Sequence, residues 1–446
     1  MNKPTLGEIR PCLEGLIPAV IATAAADGTP NVAYISQVCF VDEDHVALSF
    51  QFFNKTRANI LANPHASLLV LHPQTAQFFR LHIRYLRTET QGPLFESMKA
   101  QLAGIASHTG MANVFMLRGS DVYAVQEIEA LEGSPLPAPP PRCGMLNNVR
   151  RCSERLSRCT SLDEVLNATL ATLTDFMGVQ HAMLLMLDPV NQRLYTVASC
   201  GYATSGVGSE IAVGHGVIGV AARERTPVRI QHMTTAYLYS SAIRSSLQAN
   251  TPDLALDVDI PYPGLREPHS QLAVPIVSAA RVLGVVFVES PHDMQFGFED
   301  EDMLVAIAGH LGAAIDLMQS ASEPQETVAA EPSAPPALGS ALQVRHYRAN
   351  DSIFIGDDYL IKGVAGAIFW KLVRNYTEQG RTAFSNRELR LDPDLGLPDV
   401  TDNLEARLLL LQRRLKEHGP MVRIEKTGRG RFQLMVQRPL ELQEAS

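Results

Sequence analysis

Apolar positions recur along this chain with two periods, and the period changes where the architecture should. Near the carboxyl end Leu404, Leu408, Leu411 and Leu415 fall at i, i+4, i+7 and i+11, one apolar stripe of a helix. Asn403, Arg407 and Arg414 fall on a neighbouring stripe, and His418-Gly419-Pro420 ends the helix. The period then drops to two. Val422 and Ile424 lead into Thr427-Gly428-Arg429-Gly430, and Phe432, Leu434 and Val436 return. That predicts a hairpin with a glycine turn and a cationic tip of Lys426, Arg429 and Arg431. Upstream, residues 344–346 and 352–355 predict a short hairpin. Residues 359–376 predict a helix with Ile361, Val364, Ile368, Leu372 and Val373 on its apolar face. Residues 386–391 predict a short helix capped by Ser385, then a long turn over 392–402 with Thr401 or Asp402 capping the next helix. Trp370, the only tryptophan, is expected to anchor this core.

The amino-terminal pattern differs. Residues 17–23 are apolar, Ala26-Asp27-Gly28-Thr29 is a hairpin turn, and 32–38, 41–44, 46–50 and 67–71 predict further strands. A short helix over 56–62 stops at Asn63-Pro64, another covers 93–106, and 114–126 supplies the last strands. Closely spaced strands of this kind predict a small β-barrel. In the middle, residues 146–158 are helical and Ser161-Leu162-Asp163-Glu164 is a capping box opening a helix that runs to Met177 and stops at Gly178. Strands follow at 182–187, 194–199, 271–277 and 282–289, a long region of mixed pattern fills 204–269, and a closing helix spans 300–319.

Two proline-rich stretches, residues 132–142 and 320–340, read as linkers. They divide the chain into bodies at 10–131, 145–319 and 341–440. A length of 446 residues fits about three domains. Lys+Arg number 38 against 47 Asp+Glu, a net of -9. From 341 to 440 the count is 17 Lys+Arg against 12 Asp+Glu, so that segment is +5 and the remainder is -14. Any contact with a polyanion is therefore confined to the carboxyl end. Six scattered cysteines without a CxxC fit a reducing cytosol rather than a disulfide framework. No apolar run approaches the ~20 residues of a bilayer span, which leads to the expectation of a cytoplasmic protein.

Chemistry concentrates at three places. Lys55-Thr56-Arg57 sits where a strand gives way to a helix, so free N–H groups, a hydroxyl and two cations can cradle a phosphate. A capped helix with solvated basic residues fits the same three residues. The surrounding stretches ATAAADGTPNVAYIS and LSFQFFNKTRANILANPHASLLV resemble the FMN-binding split barrel of the pyridoxamine 5′-phosphate oxidase-like family, over about residues 15–126. The resemblance implies an FMN phosphate held by Lys55, Thr56 and Arg57, with Tyr34-Ile35-Ser36-Gln37 beside the isoalloxazine ring. It also implies a homodimer with the flavin at the interface. The family's substrate-phosphate residues are missing near the end of the barrel, where only Arg118 precedes Tyr123. That argues for a flavin-holding relative rather than a vitamin-making oxidase.

The middle body resembles a GAF domain, through Gly214-His215-Gly216-Val217-Ile218-Gly219, Ala273-Val274-Pro275-Ile276 and Leu283-Gly284-Val285. The glycine run lacks the preceding strand of a dinucleotide fingerprint and reads as the start of a helix. GAF domains hold varied small molecules or none. His181, Cys200, His215, His232 and Tyr237 lie near the expected pocket walls, and each also reads as an ordinary packed or exposed residue. Cys152 and Cys159, seven apart, read as packing or a dimer contact.

The last body resembles the winged-helix output domain of response regulators, through Gly380-Arg381, Ser385-Asn386-Arg387-Glu388-Leu389 and Lys426-Thr427-Gly428-Arg429-Gly430-Arg431-Phe432, with a wing one residue shorter than the family's. This implies DNA contact by Asn403, Arg407, Arg414, Lys426, Arg429 and Arg431. The whole then reads as a multidomain α+β protein: split β-barrel, GAF α/β/α sandwich and winged helix. The corresponding function is a cytoplasmic sensory transcriptional regulator answering to redox state or a small ligand. A flavin-dependent oxidoreductase with regulatory domains and a signalling scaffold without DNA binding remain open. No Ser-His-Asp, HExxH, P-loop or paired-carboxylate pattern emerges.

Overall fold

The computed structural model describes residues 3–14, 18–51, 55–108, 117–137, 144–231, 260–320, 340–395, 404–428 and 430–445. The first body is a seven-stranded antiparallel sheet of β1 (Ala19–Ala24), β2 (Pro30–Ile35), β3 (Val38–Asp42), β4 (His45–Phe50), β5 (His65–Leu71), β6 (Phe78–Glu89) and β7 (Gly119–Ala130). Its order is β2-β1-β5-β6-β7-β4-β3. Helix α1 (Lys55–Ala62) follows β4, and α2 (Pro93–His108) follows β6. The core is Ile21, Leu48, Leu68, Val70, Leu81, Ile83 and Tyr123. Sequence reading omitted β6, the central strand that pairs with both β5 and β7. Leu81 and Ile83 turn inward, and charged or polar residues alternate with them.

The middle body is a six-stranded sheet ordered β10-β9-β8-β13-β12-β11. Its strands are β8 (His181–Asp188), β9 (Arg193–Cys200), β10 (Glu210–Ala212), β11 (Val228–Ile230), β12 (Ser270–Ser278) and β13 (Arg281–Ser290). Helices α3 (Met145–Leu156), α4 (Leu162–Met177) and α6 (Phe298–Ser320) share a core with one face, and α5 (Gly216–Glu224) shares a core with the other. The capping box forms. Ser161 accepts from the Glu164 amide at 3.3 Å, and Gly178 ends α4 in the left-handed region. The glycine run opens α5, as its sequence context implied. A Cβ on Gly219 would stand 2.3 Å from the Ala212 carbonyl oxygen, so the third glycine serves close backbone approach.

The third body joins a four-stranded sheet, ordered β16-β15-β14-β20, to three helices and a three-stranded sheet, ordered β17-β19-β18. The strands are β14 (Leu342–Tyr347), β15 (Ser352–Ile355), β16 (Asp358–Ile361), β17 (Ala383–Ser385), β18 (Val422–Gly428), β19 (Arg431–Val436) and β20 (Leu440–Ala445). The helices are α7 (Gly363–Gln379), α8 (Asn386–Leu391) and α9 (Leu404–His418). Two expectations need correction. Residues 359–361 extend the leading sheet instead of starting α7, because Ile361 pairs with Ile353. A further strand, β20, runs parallel to β14 beyond residue 440. Trp370, as expected, packs against the core, half-buried and stacked on His346 at 4.8 Å, beside the fully buried Phe369. The expected turn and caps at 396–402 lie outside the described residues, as do residues 321–339 of the second linker.

The middle body packs against both of the others. Arg229 on β11 pairs with Glu14 of the barrel at 2.6 Å and with Glu301 of α6 at 2.7 Å. Arg10 lies over the rings of Phe40 and Phe298 at 4.7 and 4.1 Å. One apolar cluster runs from the α3, α4 and α6 side of the middle body into the third body. No described helix is long and apolar enough to cross a membrane.

Candidate functional site

The barrel cleft is built where β4 hands over to α1. It has a volume of about 140 Å³, with Ile21, Leu48 and Ile60 as apolar floor and Ser36, Gln51, Thr56 and Arg57 among its polar walls. Thr56 is buried, and its hydroxyl accepts from Asn31 Nδ2 at 2.9 Å. Ser36 accepts from Gln51 Nε2 at 3.0 Å. Arg57 is committed more deeply. Its guanidinium donates to Asp121 Oδ1 at 2.6 Å and to Thr88 Oγ1 at 2.8 Å, and it stacks over Phe50 at 4.6 Å. Thr88 also donates to Asp121 and meets Tyr85. Burial pushes the Asp121 carboxyl above its ordinary range, and its bonds to Thr88 and Arg57 only partly offset this.

Ser36, Thr56 and Arg57 therefore meet at one cleft. Two expected members do not. Gln37 is turned away, with its amide donating to Gln101 of α2, because it alternates with Ser36 across the strand connection. Lys55 is exposed and lies outside the cleft lining. Sequence reading missed Asp121, Thr88 and Tyr85, two of which stand on the omitted β6. The signal was an aspartate inside the apolar run of β7.

The donor set fits a flavin phosphate in part: a hydroxyl, a guanidinium and the amide-bearing rim are present, and the Asp121 carboxylate opposes it. The cleft of one chain is too small to surround a three-ring cofactor. Tyr34 of β2 lines the cleft and is 81% exposed, and Val32 on the same strand is 67% exposed.

In the middle body, Glu289 is buried and accepts from the Leu265 amide at 2.8 Å and from Gln271 Nε2 at 3.0 Å. Burial raises its pKa. Tyr202 stands beside it, with its hydroxyl pKa also raised, first by burial and then by the Glu289 charge. The His181 ring lies 5.4 Å from that of Tyr202, so His181 does reach this polar cluster. His215 does not; it is exposed at the start of α5. Burial raises the Cys200 thiol, and it pushes Cys152 up to about 11, away from the thiolate form. His232 and Tyr237 lie outside the described residues.

In the third body the resemblance motif has a local logic. Gly380 closes α7 in the left-handed region, Ser385 caps α8 through the Glu388 amide at 3.3 Å, and Arg381 bonds Glu388 at 2.6 Å. The candidate DNA contacts are placed unexpectedly. Arg407, 6% exposed, pairs with Asp188 of the middle body at 2.9 Å and lies over Tyr195 at 4.5 Å. Arg414 folds back on its own body, donating to the Leu360 carbonyl at 3.0 Å and to Glu417 at 2.8 Å. Neither presents its charge outward, because Arg407 is taken by the middle body and Arg414 by carbonyls and a carboxylate of its own body. Arg413, which sequence reading passed over, donates to the Val197 carbonyl and to Asp163 Oδ1, both at 2.6 Å. Lys426 is exposed and Arg431 half-buried, while Asn403 and Arg429 lie outside the described residues.

The geometry defines a class: a barrel with a candidate flavin cleft fused to an α/β sensor-type sandwich and a third α+β body. Comparison with known families makes two of these bodies definite. Residues 5–122 match the pyridoxamine 5′-phosphate oxidase family model, and residues 161–315 match the GAF domain model. No curated protein matches the chain. Similar solved structures each cover one body. The GAF domain of an Acinetobacter phosphoenolpyruvate-protein phosphotransferase is 22% identical, covering 41% of this chain and 98% of that one, with a TM-score of 0.32. A free methionine-R-sulfoxide reductase from Neisseria meningitidis is 20% identical, covering 40% and 91%, at 0.30. An FMN-binding protein from Syntrophomonas wolfei is 17% identical, covering 29% and 86%, at 0.25.

Proposed function

We propose that the protein is a cytoplasmic sensory regulator. Its barrel holds FMN, its GAF domain takes a small ligand, and its third body is a winged helix that binds DNA. The observation that carries the sensor half is the cleft where Thr56 and Arg57 meet Ser36 and Gln51 over an apolar floor. FMN would rest its phosphate on Thr56 and Arg57 and supply electron-transfer chemistry. A second copy would close the cleft over Val32 and Tyr34, making a homodimer. The DNA half is supported by three helices followed by a hairpin carrying Lys426 and Arg431.

Two measurements test this reading. A visible absorption spectrum with FMN titration should show stoichiometric flavin in a dimer, and Tyr34→Glu should yield a monomer with weakened flavin binding. A gel shift with random duplex DNA at several salt concentrations should show salt-dependent retardation. A second reading, a protein-docking module without DNA binding, is favoured by the burial of α9 on both sides. Absence of any shift at low salt would select it.

A further inference from the structure

Helix α9 is unusual for a nucleic-acid-reading element in being enclosed. Ala406 through Leu411 are all buried, although an amphipathic helix packed on its own body alone would leave one face in water. The enclosing wall is the GAF domain, and much of its contact is made through charge. Asp188 takes Arg407, and Asp163 with Asn167 takes Arg413 at 2.6 and 2.9 Å. Ser205 donates to Glu417. Beside these pairs lies a cleft of about 490 Å³, with Asp163 and Glu164 on the GAF wall and Arg413, Lys416 and Lys426 on the other.

We infer that GAF-domain carboxylates stand in for DNA phosphates on α9, so that this conformation is an autoinhibited one. The inference rests on the DNA-binding reading above. The same guanidiniums cannot serve Asp188 and Asp163 and a phosphate backbone at once. The chemistry of the contact also fits a reversible one. A permanent interface would be at least as stable with apolar residues of similar volume in place of Arg407 and Asp188, because desolvating two charges offsets most of their attraction. Each of these ionic contacts can be exchanged for contact with another anion, with the apolar surface that the two bodies share as the opposing cost. The wall is also continuous with the GAF interior. The turn after β9 carries Tyr202 against His181 and Ser205 against α9.

The test uses the full-length protein, Asp163→Asn and the double variant D163N/D188N. Asp163 is half-exposed, so its substitution leaves the GAF core intact even if the double variant folds poorly. Two quantities are read: amide hydrogen exchange over residues 404–418, and gel shift of random duplex DNA across a salt series. Expected are faster exchange in α9 and DNA binding tightened about tenfold in at least the single variant. DNA binding equal in variant and wild type would overturn the inference while leaving the DNA reading standing. Faster exchange in α9 with no DNA bound by any form would remove the DNA reading, and the inference with it. Unchanged exchange in α9 would show that these carboxylates do not hold the helix, and would overturn the inference alone.

Discussion

Arg57 illustrates how one side chain can be structural before it is functional. It is buried with Asp121 and tied to Thr88, so its removal leaves a carboxylate without its cation in a dry place. Breaking such a pair costs about 3–5 kcal/mol, whereas neutralising both partners costs much less. Thermal unfolding of the flavin-free protein should therefore show a large loss for Arg57→Ala and recovery of most of it in R57A/D121N. Equal losses would mean that Arg57 is not paired in solution. The two alanine and asparagine changes also separate roles: the double variant keeps the fold while removing the guanidinium from the cleft. Lys55 and Gln37 teach the converse. Both looked right in the linear pattern, and neither faces the cleft, because the chain's alternation and the masking of the polar wall are decided one residue at a time.

At the scale of elements, alternation and caps were readable and non-local pairings were not. The capping box at Ser161 and the cap at Ser385 depend on residues three apart, so they appear in any correct reading. Strand β6 is legible in the alternation of Phe79, Leu81, Ile83 and Tyr85 with Arg80, His82 and Arg84, although the strands expected from sequence do not include it. Strand β20 was not legible, since its parallel partner β14 lies about a hundred residues away in sequence. Gly284 on β13 shows how closely elements approach. A Cβ there would stand 2.0 Å from the Leu185 carbonyl oxygen of β8. Gly284→Ala should destabilise the protein by about 3 kcal/mol, the cost of forcing strands apart in a packed core. Denaturant melts check this, and a change within error would mean that the β8–β13 spacing is looser than described.

At the scale of the whole molecule, ion pairs join the bodies: Arg229 with Glu14 and Glu301, Arg407 with Asp188, and Arg413 with Asp163. The α9 contact has a pH signature. Burial by itself would raise the Asp188 carboxyl, but the charge of Arg407 and the bonds from Asn191 outweigh it and hold the pKa below its ordinary value. A depressed acid stabilises the contact above the unfolded pKa and loses that contribution as pH falls through the folded one. The third body should thus stay docked from neutral pH down to about 4 and loosen below that. Small-angle scattering should show a constant radius of gyration over the upper range and an increase in acid. Expansion already near pH 6 would assign the hold to other groups.

The sequence by itself determined the three bodies, most of their helices and strands, the barrel and GAF families, and the place of the cationic segment. These are set by local periodicity, by turn and cap chemistry, and by charge counted along the chain. Only the tertiary structure decided which way that charge points. Arg407 and Arg413 lie three and nine residues from the start of a helix whose pattern is amphipathic, yet their partners Asp188 and Asp163 come from more than two hundred residues earlier. A stripe of basic residues has the same pattern whether it faces water, DNA or a neighbouring domain, because periodicity records the faces of a helix and not what each face meets.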